Sequence, residues 1–220
     1  MPMDTYQGRY TDRLGTEEIR IENDSTTLWT TIRGVAFSGN RFDDLCIADR
    51  TPPDLAARFT LHGDSLCSCR IEYAMPIPVW MEGGEQRAGL TVVVVLGDVI
   101  SDKHCLDREE YLLTLEHDGR LYAGTGNSGS FEGELLEIQA QLPPGVHMKA
   151  CITCMYSDYS PYGQNAFGDM ACYRTRKSEY LKVKGKMQFL KFQGHFDRMV
   201  QETYLCPEFE RRVPGTGYRG

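Results

Sequence analysis

Leu90-Thr91-Val92-Val93-Val94-Val95-Leu96 is the most strand-like stretch of this chain. It is β-branched and apolar on both alternating faces, so it has no side suited to water and belongs in the middle of a sheet. Upstream, Glu82-Gly83-Gly84-Glu85 reads as a turn. Met75-Pro76-Ile77-Pro78 is read as lying outside any central strand, because proline cannot donate to a ladder. Residues 58–61 and 65–74 read as a hairpin across His62-Gly63-Asp64. In its second arm Cys67, Cys69, Ile71 and Tyr73 share one face, which makes the C-x-C pair core. Residues 5–10, 17–23 and 26–33 alternate with short turns between them, giving an antiparallel meander. Downstream, residues 111–116 and 120–123 form a hairpin across His117-Asp118-Gly119.

Gly124-Thr125-Gly126-Asn127-Ser128-Gly129 is a literal G-x-G-x-x-G that runs into a helix over 131–142. A nucleotide-binding loop needs a buried parallel strand before it and an acidic residue ~20 positions on. This one follows a hairpin arm and lacks that residue. The favoured reading is a flexible loop with Ser130 as N-cap, Glu132 and Glu134 in the positive first turn, and Pro143-Pro144-Gly145 as the stop. Residues 146–152 alternate as a strand. Residues 186–205 show an apolar face with helical spacing and are expected to form a second helix, although Gly194 inside it costs ~1 kcal/mol relative to Ala.

The strand at 146–152 leads into Cys151-Ile152-Thr153-Cys154, and Cys172 and Cys206 follow. A CxxC turn aims two sulfurs at one ion, and a later pair can close the tetrahedron from elsewhere in the fold. The expectation is a structural zinc held by Cys151, Cys154, Cys172 and Cys206. A redox CxxC is disfavoured, since no βαβ pattern surrounds it. Four buried, apolar thiols are the plainer alternative. Cys67 and Cys69 with Cys46 or Cys105 would make a second metal site, but period-2 alternation already accounts for that pair.

The expected fold is α+β: a mainly antiparallel β-sheet, one or two C-terminal helices and the four-cysteine zinc site. It forms a single domain with two lobes, 1–129 β-rich and acidic, 130–220 α/β, basic and zinc-braced. Of 220 residues, 41% are hydrophobic and 25% charged, which is ordinary for a globular chain. Residues 141–220 hold 12 Lys and Arg against 7 Asp and Glu, and residues 1–140 hold 12 against 24. Such asymmetry serves an anionic partner or mutual attraction of the two lobes. Met-Pro-Met-Asp-Thr-Tyr offers no basic or apolar leader, and 90–96 is too short to span a bilayer, so a cytoplasmic protein away from membranes is expected. Its thiols would then stay reduced.

The catalytic inventory is thin: there is no G-x-S-x-G elbow, no H-E-x-x-H and no Walker loop. Tyrosines and cations crowd the CxxC, and Tyr159, Tyr162, Arg174 and Arg176 make a candidate binding surface. Aromatics mixed with cations suit nucleic acid, a protein or a small molecule. Net charge of −7 repels a polyanion and disfavours the first. The reading is therefore a non-catalytic, zinc-stabilised binding or accessory protein. The alternative is a small metalloenzyme or biosynthetic tailoring enzyme with its pocket at the 157–163 loop and His147 or Asp158 completing an open metal shell.

Lys149-Ala150-Cys151-Ile152-Thr153-Cys154, the Ser157-Asp158-Tyr159-Ser160-Pro161-Tyr162-Gly163 run, Ala171-Cys172-Tyr173-Arg174 and the tail Gln201-Glu202-Thr203-Tyr204-Leu205-Cys206-Pro207-Glu208-Phe209-Glu210 resemble a bacterial family built on a domain of unknown function. The resemblance covers about the last 75 residues well and the N-terminal sheet weakly. It implies a bacterial, cytoplasmic protein and carries no catalytic residue with it.

Overall fold

The structure is a computed structural model that describes residues 3–100, 105–160, 162 and 167–218. The meander comes first: β1 (Asp4–Asp12), β2 (Gly15–Asn23), β3 (Leu28–Ile32) and β4 (Val35–Gly39) pair antiparallel in sequence order. Short pieces follow: β5 (Cys46–Ile47), α1 (Pro53–Ala56), β6 (Leu61–His62) and β7 (Ser65–Leu66). Two long strands, β8 (Cys69–Met81) and β9 (Gly84–Leu96), form a hairpin whose turn is Glu82-Gly83. Gly83 and Gly84 sit at φ +107° and +123°, where a side chain would be strained. After β10 (Val99–Ile100) and β11 (Cys105–Leu106) come β12 (Glu109–His117) and β13 (Arg120–Ala123), joined at Asp118-Gly119, both at positive φ as a tight hairpin turn requires.

These strands make one sheet in the order β13-β12-β9-β8-β1-β2-β3-β4-β5-β7-β6, with β14 (His147–Met148) added beside β8. β9 lies between β8 and β12; Leu90, Val92, Val94 and Leu96 on one face are wholly buried, while on the other Val93 is buried, Val95 half-buried and Thr91 exposed. The fold is thus mainly antiparallel β with few helices. Among the described residues, no helix is long and apolar enough to cross a membrane.

One expectation fails in an informative way. Pro76 and Pro78 do lie within a central strand, opposite Gly89 and Arg87 of β9. β1 covers β8 only over Arg70–Tyr73, and beyond it the short β14 joins that side of β8 only at Val79 and Trp80. The Pro78 carbonyl points to this side, where it accepts from Lys149 N at 2.7 Å. By strand period, Pro76 faces the same way. The missing N–H groups therefore fall where β1 asks for none.

The C-terminal part differs more. After α2 (Phe131–Gln141) and β14, a 3-10 turn at Cys151–Thr153 replaces the rest of the expected strand. Then come β15 (Ser157–Asp158), β16 (Met170–Cys172), α3 (Lys177–Tyr180), α4 (Lys186–Phe192) and β17 (Arg198–Val200). The expected helix over 186–205 ends at Phe192. Gly194 sits in a 3-10 turn, and Arg198–Val200 pairs with β16 in a three-stranded sheet β15-β16-β17. Cross-strand pairing outweighs the helical spacing of a segment already weakened by glycine.

One core runs through both halves of the chain, from Tyr10, Phe37 and Leu90 to Phe131, Ile152, Phe167 and Val200. A smaller cluster, Cys154, Tyr156, Tyr173, Tyr180 and Phe189, packs beneath the C-terminal segments, with the Tyr173 and Tyr180 rings stacked at 5.1 Å. Ion pairs also tie early to late residues: Lys149 to Glu85 at 2.8 Å and Arg41 to Asp169 at 3.5 Å.

Candidate functional site: four thiols and nearby arginines

The CxxC turn is held from three sides. Cys154 N donates to the Cys151 carbonyl at 3.0 Å, closing the turn itself. Cys151 N and Ile152 N donate to the carbonyls of Tyr204 and Glu202, both at 2.9 Å, which fixes the turn to the segment just before Cys206. The Ser157 hydroxyl donates to the Cys151 carbonyl, and Arg212 reaches the carbonyls of Cys154 and Ser157. β16 supplies Cys172. The path from β17 through Gln201–Thr203 delivers Cys206.

All four cysteines are buried and unbridged. Burial first, then the other thiols, pushes the Cys151 thiol well above the usual range. Burial also raises Cys154 and Cys172, and the neighbouring thiols add to the rise. Each pair among Cys151, Cys154, Cys172 and Cys206 is close enough for one sulfur to resist ionisation of the other. Residues up to 55 positions apart in sequence thus converge. Against this stand three half-buried guanidiniums. Arg198 favours the Cys151 thiolate, Arg212 favours that of Cys154, and Arg174 Nη1 donates to Cys206 Sγ at 3.9 Å. Among the described residues, no group of three or more His, Cys, Asp or Glu side chains has closed into metal-ligand geometry. The four sulfurs lie within electrostatic reach of one another and of three arginines, but they form no metal-ligand cluster among the described residues.

The candidate binding surface is not assembled as a surface. Tyr159 is buried, its hydroxyl donating to Glu202 Oε1 at 2.7 Å. Arg174 turns inward to Cys206, and Arg176 pairs with Glu179 at 3.2 Å. Tyr162 alone of the four is an exposed aromatic, at 75%. Asp158 is buried and accepts from Tyr180 OH at 2.8 Å and from Tyr159 N at 2.9 Å. His147 lies on β14, in the wall of a separate cleft. Pro161 and Gly163 of the 157–163 loop lie outside the described residues.

The glycine-rich loop has its ligand already, and it is intramolecular. Glu134, fully buried, accepts from Gly126 N at 2.8 Å, Ser128 N at 3.1 Å and Ser128 OH at 2.5 Å. Glu137 accepts from Thr125 N at 2.7 Å. A Cβ at Gly124 would come within 2.0 Å of Glu134 Oε2, so glycine is needed there for close approach. The amides that would cradle a phosphate are occupied by carboxylates of the following helix. Ser130 caps that helix by accepting from Gly133 N.

Glu202 is a site residue that the sequence does not announce. It is wholly buried between Tyr159 OH and Gly168 N, the latter at 2.8 Å, and burial raises its carboxyl to about 8. Cys67 and Cys69 are buried, and burial lifts Cys69 to about 12, so this pair stays protonated. Cys46 is half-buried beside Ser65, and Cys105 is exposed.

Residues 4–157 match the sequence profile of a family of unknown function (DUF6304). The chain belongs to this family. The DUF6304 match spans the large sheet, α2 and the CxxC turn, and it ends before Cys172 and Cys206. No curated protein and no solved structure matches the chain. The family description assigns no activity, so any functional reading of this DUF6304 chain rests on its own residues.

Proposed function

We propose that the protein is a non-catalytic, zinc-stabilised binding or accessory protein of the bacterial cytoplasm, with Cys151, Cys154, Cys172 and Cys206 as the ligands of a structural zinc. The observation that supports this reading is that four buried sulfurs lie within electrostatic reach of one another and of Arg174, Arg198 and Arg212. Neutral thiols need no counter-charge, whereas thiolates on a metal do, and these arginines can supply it while Arg212 also serves the Cys154 and Ser157 carbonyls and Arg198 lies over the Tyr204 ring. Zinc bound by four thiolates carries two net negative charges, and three arginines offset them. The donor set is all sulfur, which suits zinc, and a closed four-sulfur shell leaves no position for substrate. The role is then to brace the C-terminal segments against the large sheet, since ligand binding energy becomes folding energy.

The metalloenzyme alternative has less to draw on. Asp158 is engaged by Tyr180 and Tyr159, and His147 faces a different cleft. A nucleic-acid partner also finds few uncommitted cations near the CxxC, because Arg176 and Lys177 are paired with Glu179, Glu208 and Glu210.

The test is metal analysis of protein purified without chelator under reducing conditions. About one zinc per chain is expected, with X-ray absorption reading four sulfurs at ~2.3 Å. Cys206→Ser should lower zinc content, and Cys67→Ser should leave it unchanged. Metal-free protein with all four thiols free would overturn the proposal. A nitrogen or oxygen ligand would favour the metalloenzyme.

A further inference from the structure

A cleft of about 560 Å³ opens between α2, β14, the CxxC turn and the C-terminal segment. Its walls are Leu136, Ile152 and Pro214 on the apolar side, and Glu132, His147, Arg211 and Arg212 on the polar side. That volume falls within the roughly 300–1,000 Å³ of ligand clefts, and the mixture of apolar walls with a few polar groups is their usual make-up. Leu136 is 40% exposed here, although it lies on a helix whose neighbours Leu135 and Ile138 are fully buried.

Two nitrogen atoms in this wall lack hydrogen-bond partners. His147 is 6% exposed, and its Nδ1 makes no hydrogen bond of good geometry, although the Gly145 carbonyl lies near enough to favour the charged ring. Arg212 uses its Nη atoms on Tyr180 and on the Cys154 and Ser157 carbonyls, but its Nε is buried with none. An unsatisfied buried polar group is rare and costly in a native fold. Both atoms are closed off from the cleft itself, so the case for a ligand rests on the cleft's size, its lining and its charge. Arg211 stands exposed. Burial and the Arg211 charge keep His147 neutral, so Arg211, Arg212 and Glu132 leave the lining one positive charge in excess.

We propose that this cleft binds a small monocarboxylate with an apolar body, its carboxylate drawn to the charges of Arg211 and Arg212 and its body against Leu136, Ile152 and Pro214. This names the ligand class for the binding role above and rests on that reading. Ile152 and Thr153, the residues between the two CxxC cysteines, form part of the cleft, so the brace would hold the site in shape.

The test is calorimetric titration of the full chain with octanoate, with octanol and acetate as probes that lack the charge or the body, and with zinc content measured on each sample. Octanoate should bind, and octanol and acetate should each bind at least about tenfold more weakly, the scale of one hydrogen bond to a charged group. Arg211→Ala, at an exposed position, should weaken octanoate about tenfold while thermal unfolding is unchanged. Leu136→Glu, also exposed, should abolish binding. If octanoate fails to bind zinc-loaded protein, or octanol binds equally well, the cleft proposal is overturned and the zinc reading stands. If octanoate binds protein shown to be metal-free as purified, the zinc reading falls and the cleft proposal stands.

Discussion

Arg174 Nη1 lies 3.9 Å from the sulfur of Cys206, joining the loop after β16 to the segment after β17. An arginine aimed at a buried sulfur gains most when that sulfur is a thiolate. Arg174→Ala should therefore leave the fold intact and speed zinc loss to a competing chelator by about tenfold, the scale of one charge-assisted hydrogen bond. A chelator-exchange rate equal to that of the parent protein would show that Arg174 has no part in the metal site.

Burial raises the Cys151, Cys154 and Cys172 thiols above their ordinary value of 9.0. A folded-state value above the unfolded one favours folding below the unfolded value, and the benefit is lost as pH rises through the folded value. Metal-free protein should lose stability as pH climbs past about 9. Zinc holds the same sulfurs as thiolates, so the loaded protein should lack this decline. Denaturant midpoints with and without chelator, taken from pH 7 to 10, would test the difference, and parallel curves would refute it.

Glu202 behaves as a buried neutral acid. Its unfolded value is 4.5 and its folded value about 8, so its contribution is complete below about 4.5 and is lost as pH rises toward 8. The full loss is of the order of 5 kcal/mol or less. Urea unfolding should show the parent protein losing more stability between pH 5 and 8 than Glu202→Gln. Identical pH slopes would mean that Glu202 ionises normally in the folded state.

The Glu134 carboxylate closes the glycine-rich loop onto α2. Glu134→Ala leaves the Gly126 and Ser128 amides without their acceptor and should cost ~2–4 kcal/mol. Adding ATP should not shift the melting temperature of the parent protein. A shift that grows with ATP concentration would reinstate nucleotide binding at this loop.

The strands β1 to β3, the central placement of β9, the β12–β13 hairpin and the capped α2 could be read from the sequence alone. Each depends on residues a few positions apart: period-2 alternation, Asp118-Gly119 in a tight turn, Ser130 before an apolar face. Such signals are local, and the chain carries them wherever it lies. The four-cysteine spacing picked out thiols that the fold places within electrostatic reach of one another, without a closed metal-ligand group among the described residues. What spacing could not give was the surroundings, because Arg174, Arg198 and Arg212 come from segments whose positions are set by packing.

Tertiary structure alone decided the rest. Pro76 and Pro78 fit a central strand because β1 stops short of them, a fact of register between segments more than 60 residues apart. The segment 198–200 became a strand because β16 offered it an unpaired edge. Tyr159 went inside because Glu202 was there to receive its hydroxyl. The glycine loop lost its phosphate-like vacancy to Glu134, and the cleft beside His147 exists only where four distant segments fail to fill the space between them. Period and propensity describe a residue's near neighbours; the partner across a ladder, in a buried pair or over a cleft is chosen by the whole fold.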